Sequence, residues 1–370
     1  PDEFPEGAFP LPWPSDPRSI IGLFARDHGA LVPDRLVTSA KSWLSNPHID
    51  PRQRSLPWKS EISEEKLSAF DCSRSYLDHM RESFLFAVRN QGKDFDLADG
   101  QVVLTIPASF DDIARNLTAE AAEAAGLGKV VLLEEPLAAF YAWTAQAGKD
   151  WRAHVRPGDI VLVCDVGGGT ADFSLIAISE KDGELDLNRI SVGEHILLGG
   201  DNMDLALAYA LRAKLEADDK SITDMQFLSL THSAGKAKVA KLEDESMNEF
   251  PIAVPTRGSS LLGNTLSTTL DRQTVEQIVL NGFFATTNVD DLPQKARRTG
   301  LQEFGLPYAA DPVISKHRAR FLTRSLENVR SSETLSALVS PELRSKSFLA
   351  PTAVLFNGGV FKAAALRRRV

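Results

Sequence analysis

The stretch VLVCDVGGGTADFSLIAI, residues 161–178, limits what this chain can fold into more than any other. Three consecutive glycines separate two apolar, β-branched runs, with Asp165 just before them and Thr170 and Asp172 just after. Such runs read as strands, and a connection this short makes them antiparallel. Glycine loses the most backbone entropy on folding, so three together imply that something comes very close to this backbone.

The surrounding sequence extends the pattern. GDIVLVCDVGGGTADFSLIAISEKDGELDLNRISVG reads as three strands joined by tight turns. Upstream, QVVLTIPASF reads as a strand ended by Pro107, and DDIARNLTAEAAEAAGL as a helix with acids in its first turn and Gly126 near its end. KVVLLEEP is a second strand and LAAFYAWTAQAG a second helix. Strand and helix in alternation mean parallel strands with crossover helices, so the α/β sheet is mixed. The remaining signals are a short strand at Ser19-Ile20-Ile21-Gly22, long helices over 62–90 and 311–330, and a Pro-rich extended head over 1–18. Residues 215–310, helical with the strand signals FPIAVP and STTLD, read as an inserted smaller subdomain, and TAVLFNGGVFKAAALRRR closes with a strand, a Gly-Gly turn and a helix start. At 370 residues the chain exceeds one compact core.

Backbone amides without Cβ atoms can crowd an anion, and phosphate is the common guest. Asp165 and Asp172 would repel phosphate unless a partly hydrated Mg²⁺ bridged carboxylates and phosphate oxygens. GGGT alone fits equally a hairpin turn with solvated acids. Two further bends, Leu198-Gly199-Gly200-Asp201 and Phe356-Asn357-Gly358-Gly359, each follow an apolar segment and precede a helix. Three such turns favour a nucleotide. Neither GxxxxGK[ST] nor a GxGxxG after a strand occurs, which removes the two commonest nucleotide folds. A net charge of −9 and a pI near 5.4 argue against broad nucleic-acid binding. Arg367, Arg368 and Arg369 read as a solvated helix face. Cys72 and Cys164 are the two cysteines, with no zinc or disulfide spacing, so a reducing cytoplasm is the expected compartment. No apolar run suffices to span a membrane.

In these residues the chain resembles the nucleotide-binding domain of the heat shock protein 70 (DnaK-like) chaperones, within the actin-like ATPase superfamily. DVGGGTADFSLI resembles the family's second phosphate motif; VLTIPASFDDIARNLTAEAAEAAGL with LLEEPLAAFYAW its conserved strand, helix and connecting segment; SVGEHILLGGDNMDLAL a turn and helix of its second lobe; and VLFNGGVF its adenosine motif. The resemblance covers most of residues 19–362. It implies the actin-like (ribonuclease H-like) fold: two lobes with mixed five-stranded-type sheets flanked by helices, lobe I over 1–155 and lobe II over 156–370, with the inserted α+β subdomain near 215–310. It also implies ATP or ADP with Mg²⁺, hydrolysis of ATP, and co-chaperones, nucleotide-exchange factors or client proteins as partners, with neither nucleic acid nor membrane.

Position by position, Asp165 resembles the acid that positions Mg²⁺ and the attacking water, and Asp172 a second acid of the metal shell. Thr170 resembles the hydroxyl near the γ-phosphate, Glu135 the glutamate beside the water, and Lys41 in VTSAKSWL the lysine that reaches the γ-phosphate. The implied nucleotide contacts are Gly167, Gly168, Gly169, Thr170, Gly199, Gly200, Asp201, Lys238, Gly358 and Gly359. Together these imply positioning and electrostatic stabilisation of an in-line attack by water. The sequence also departs from the family. A GxDxGTT-like first phosphate loop is absent from it, and it stops shortly after Gly359. Gly235, Val239 and Leu242 stand where an acid, a base-stacking arginine and a hydroxyl residue are usual, and the Pro-rich head with LPWKSEISEEKLS fits a divergent bacterial-type branch. The competing readings are a scaffold of the same fold with impaired nucleotide binding, and an actin-like filament protein or small-molecule kinase.

Overall fold

A computed structural model of the chain describes residues 10–16, 19–29, 32–46, 48–58, 60, 66–97, 100–244, 246–254, 266–294 and 308–370. Two compact units form: one comprises the residues up to Ile106 with Phe110–Glu134, the other Pro107–Ser109 with most of the chain from Glu135 onward.

The first unit holds α1 (Leu23–Gly29), α2 (Ala40–Leu44), α3 (Ala69–Asn90), β1 (Val103–Ile106), α4 (Asp112–Ala124) and β2 (Val131–Glu134). The expected strand at Ser19–Gly22 does not form: Gly22 takes φ +102, which breaks an extended run, and helix α1 begins at the next residue. Helix α3 starts later than the periodicity predicts. A capping box fixes its entry at Ser68, whose hydroxyl accepts from the Asp71 amide at 3.0 Å while the Asp71 carboxylate accepts from the Ser68 amide at 3.3 Å. Asp111 caps α4, accepting from the Ala114 amide at 2.8 Å. Strands β1 and β2 run parallel, with Ile106, Phe110 and Ala114 packed on Leu132 behind them.

The second unit opens with α5 (Glu135–Ala147), followed by β3 (Ile160–Val166), β4 (Ala171–Lys181), β5 (Glu184–Val192), α6 (Gly200–Ala217), α7 (Asp224–Glu243), β6 (Glu249–Val254) and β7 (Leu266–Asp271). Next come α8 (Arg272–Val275), which runs into a π-helix at Glu276–Phe283, then α9 (Ile314–Ser331), α10 (Glu333–Ala337), α11 (Pro341–Arg344), β8 (Ala353–Asn357), a 3₁₀ turn (Gly359–Lys362) and α12 (Ala364–Arg367). The main sheet has the order β5-β4-β3-β8; β3 is antiparallel to β4 and parallel to β8, so it is mixed. Among the described residues the sheets have two, four and two strands, so five-stranded sheets are not formed. Ser19–Gly22, the one further segment read as a strand ahead of β1, pairs with nothing in a sheet. Strands β6 and β7 pair antiparallel where FPIAVP and STTLD predict them, while 255–265 and 295–307 lie outside the described residues.

Strand alternation decides what the site is built on. On one face of the main sheet lie Val161 and Val163 of β3, Ile176 and Ile178 of β4, and Ala353 and Leu355 of β8, packed against Phe140 of α5. That packing joins α5 to this unit, so the division between the units falls between Glu134 and Glu135, ahead of residue 155. On the opposite face Phe173 stacks on Phe321 of α9, with ring centroids 5.9 Å apart. Both faces are covered, which is why β3 reads as a nearly continuous apolar run.

Candidate functional site

At the end of β3 the alternation that places Val161 and Val163 on the α5 face delivers Asp165 to it. The register sets Asp165 opposite Asp172 of β4 on one side and opposite Asn357 of β8 on the other. The apolar face therefore ends in a polar row, Asp172-Asp165-Asn357, at the carboxyl ends of the two parallel strands. That is where open α/β sheets hold ligands.

Two carboxylates facing each other across a strand pair repel, and neighbouring donors moderate this. The Asn357 carboxamide donates to Asp165 Oδ2 at 2.8 Å. The Ser109 hydroxyl donates to Asp172 Oδ1 at 2.7 Å, and His195 Nδ1 lies 3.1 Å from the same oxygen and 3.0 Å from Ser109 Oγ. A proton on Nδ1 satisfies both contacts. With Nδ1 as the donor, His195 and Ser109 both give hydrogen bonds to Asp172 Oδ1. The His195 segment is held from outside by Glu194, whose carboxylate meets Arg320 and Arg324 of α9 at 2.7 and 2.6 Å.

The three glycine bends meet beside this row. The Gly167 amide donates to the Thr170 carbonyl at 2.9 Å, closing the β3–β4 turn. The amides of Gly200 and Asp201 donate to the carbonyls of Gly167 and Gly168 at 3.0 and 2.8 Å. A Cβ at Gly199 would lie against the Gly168 carbonyl oxygen and 2.7 Å from that of Gly167, so this glycine exists for close approach. Gly358, at φ +85, has its missing Cβ aimed at the Val166 carbonyl and 2.8 Å from Asp165 Oδ1. Val360 approaches the Cβ position of Gly200 at 3.5 Å, which joins the third bend to the second.

One expectation is corrected by these contacts. The start of α6 is not an open anion site, because its Gly200 and Asp201 amides already bond the glycine turn. Lys238 is likewise engaged: its buried ammonium donates to the Gly200 carbonyl at 2.9 Å and pairs with Asp204 at 2.6 Å. Asp204 occupies the space beside Gly235, where a Cβ would come 2.6 Å from its Oδ2, which is a local reason for glycine at that position. Burial pushes the Asp204 carboxyl up to about 6, against the pull of Lys238 in the other direction. Val239, on the same helix, is half exposed.

Tested against a phosphate and a cation, the bend fits. Among the described residues the amides of Gly168, Gly169 and Thr170 donate to no backbone carbonyl, and the Cβ positions of Gly167 and Gly359 have no atom within 4 Å. Asp165 and Asp172 face each other at this edge, Asp165 Oδ1 lies 2.8 Å from the Cβ position of Gly358, and Asp201 Oδ1 lies 3.2 Å from that of Gly168. An anion admitted beside the Asp165 and Asp172 carboxylates needs a cation with it. Of the other expected residues, Glu135 is the first residue of α5, partly buried, while Lys41 is exposed on α2 of the first unit. Ser109, His195, Asn357 and Asp204 were not among the expected site residues, although each sits inside or next to a motif that pointed to the site.

A mixed sheet covered on both faces, with three glycine bends gathered at the carboxyl ends of its parallel pair, defines an α/β fold with its bends at the edge where open α/β sheets hold ligands. The profile of the Hsp70 protein family matches residues 16–290, and the chain belongs to this family. It is 32% identical over 232 residues to the chaperone protein HscA of Pectobacterium carotovorum, covering 61% of this chain and 35% of that protein. To HscA of Photorhabdus laumondii it is 31% identical over 238 residues, covering 63% and 36%, and to HscA of Escherichia coli 30% identical over 232 residues, covering 61% and 36%. The chain thus spans only about a third of the curated relatives it matches. Membership implies the actin-like ATPase fold, and the mixed sheet and its helices agree with it. Among the described residues no helix is long and apolar enough to cross a membrane.

Proposed function

We propose that this chain is the ATP-binding and ATP-hydrolysing domain of an Hsp70-like molecular chaperone, in which nucleotide-driven closure of two lobes signals to a partner or an attached domain. The observation that carries the reading is the meeting of bends 167–170, 199–201 and 358–360 beside the Asp172-Asp165-Asn357 row. The relatives are named as chaperones, and that name comes to this chain as part of the proposal.

ATP with Mg²⁺ would supply an electrophilic γ-phosphorus with its charge shared by the metal. The chain's own residues position and polarise. Asp165 and Asp172 would hold the metal through its water shell, and Asp165 would orient the attacking water. The amides of Gly168, Gly169 and Thr170 and the bend at Gly358–Gly359 receive phosphate oxygens, with the Thr170 hydroxyl beside the γ-phosphate. Glu135 would orient the water, and Lys41 would neutralise charge on the γ-phosphate. Gly199, Gly200 and Asp201 act one step back, by fixing the glycine turn, and Lys238 fixes α6 through Gly200 and Asp204. Co-chaperones, exchange factors or client proteins in a cytoplasmic setting complete the proposal.

The test is calorimetry of Mg²⁺-ATP with the chain, followed by single-turnover phosphate release compared with Asp165→Asn. Binding with release at least about 100-fold slower in the variant supports hydrolysis. Binding with equal release rates supports the second reading, a scaffold that keeps the fold without the chemistry. The commitment of the α6 amides and of Lys238 to internal bonds favours that alternative.

A further inference from the structure

We infer that Ser109, His195 and Asn357 are positioning residues for the two carboxylates of the site, deciding which oxygen of Asp165 and which of Asp172 is turned toward the metal. The inference rests on the nucleotide reading above and deepens it.

The three side chains come from separate parts of the second unit: the segment after β1, the segment after β5, and the end of β8. They converge on two neighbouring carboxylates from sequence distances of 63, 23 and 192 residues. Asn357 bonds Oδ2 of Asp165, while Oδ1 lies over Gly358, where the absence of a Cβ supplies the room. Ser109 and His195 both meet Oδ1 of Asp172, which turns Oδ2 to the other side.

The chemistry of the donors matters as much as their placement. A lysine or arginine beside either acid would cancel its charge and compete with a metal. An amide, a hydroxyl and an imidazole orient a carboxylate through single bonds, which is how metal-binding carboxylates are held by their outer partners. The rest of this sheet face also argues against simple core filling. Val161, Val163, Ile176 and Leu355 are apolar, with the buried Ser174 beside Val163 as a polar exception, and the carboxylates come at the strand ends where the glycine bends gather.

A merely structural role would make these bonds act on stability alone. A positioning role makes them act on the metal-dependent part of nucleotide affinity. The experiment is calorimetry of ATP with the full chain in Mg²⁺ and again in EDTA, for wild type, Asn357→Val, Ser109→Ala, His195→Gln and Ser109→Thr, with thermal melts to establish folding. The ratio of the two affinities is the Mg²⁺ gain, and Mn²⁺ affinity in the presence of ATP, read by electron paramagnetic resonance, reports the same quantity without turnover. The expected result is a Mg²⁺ gain reduced about 10–100-fold in Asn357→Val and Ser109→Ala, restored in Ser109→Thr, with affinity in EDTA changed by less than about twofold. Folded variants that keep the wild-type gain, or that lose both affinities in parallel, overturn the inference and leave the nucleotide reading standing. A wild-type chain that binds ATP in neither condition removes that reading, and the inference with it. If Ser109→Ala fails to fold, Asn357→Val at the other carboxylate still decides.

Discussion

Replacing Gly199 by alanine tests the contact that joins α6 to the glycine turn. Gly199 has φ −157, extended backbone open to any residue, so dihedral strain plays no part. The obstacle is steric: the new methyl would press on the Gly168 carbonyl oxygen and lie 2.7 Å from that of Gly167. Backbone atoms cannot swing aside as a side-chain tip can, so α6 and the turn must separate. Separation stretches the bonds from the Gly200 and Asp201 amides, 3.0 and 2.8 Å long, each contributing about 1 kcal/mol. Overpacking strain adds about 1–3 kcal/mol. The sum is a loss of about 3–5 kcal/mol, well above the ~1 kcal/mol that an alanine at a helix N-cap costs by itself. Gly359→Ala is the control, because no atom lies within 4 Å of its Cβ position and its φ is not in the left-handed range; its stability should stay within about 0.5 kcal/mol of wild type. Urea unfolding followed by far-UV circular dichroism gives both values from the midpoint and slope. A Gly199→Ala loss near 1 kcal/mol would mean that only the cap had changed, and would refute the close-approach account. Nucleotide affinity measured on the same sample should fall in Gly199→Ala as the turn shifts.

Three further outcomes follow from burial and charge. The Asp204 carboxyl, raised from 3.8 to about 6, makes the native state hold the extra proton between those values, so its contribution to stability falls as pH rises from about 4 to about 6, by up to about 3 kcal/mol. Unfolding free energies of wild type minus Asp204→Asn across that window should decline with pH, and a flat difference would remove the assignment. Lys238→Met leaves the Asp204 carboxylate buried without its partner and should destabilise by about 3–5 kcal/mol at pH 8, with a smaller loss at pH 5, where Asp204 takes up a proton. Phe140→Ala, at 1% exposure in the core beneath the polar row, should lose about 3–5 kcal/mol in thermal or urea unfolding. Its neighbour Tyr141→Ala, at 51% exposure, should stay within about 0.5 kcal/mol, and equal losses would contradict the placement of α5 on the sheet.

What could be read from the sequence, and what could not, divides along the range of the forces involved. The β3–β4 hairpin was legible because its signal is local: two β-branched runs, a turn too short for a crossover, and a period of two that carries Val161, Val163 and Asp165 to one face. Helices α4 and α9 were legible for the same reason. Ser19–Gly22 failed as a strand because apolar composition does not supply a partner, and Gly22 turns the chain before one could be met. The glycines show the limit most clearly. A Gly-Gly pair before a helix reads in the same way whether it opens amides to an anion or lets two backbones touch, and only the carbonyls of Gly167 and Gly168 beside Gly199 tell the two apart. Ser109, His195 and Asn357 lay in view inside motifs already singled out, but a hydroxyl, an imidazole and a carboxamide have no local signature that assigns them to an acid 63, 23 or 192 residues away. Sequence periodicity thus located the carboxylates, while their orientation, which decides whether they can share a metal, was set by contacts that form only when the sheet closes.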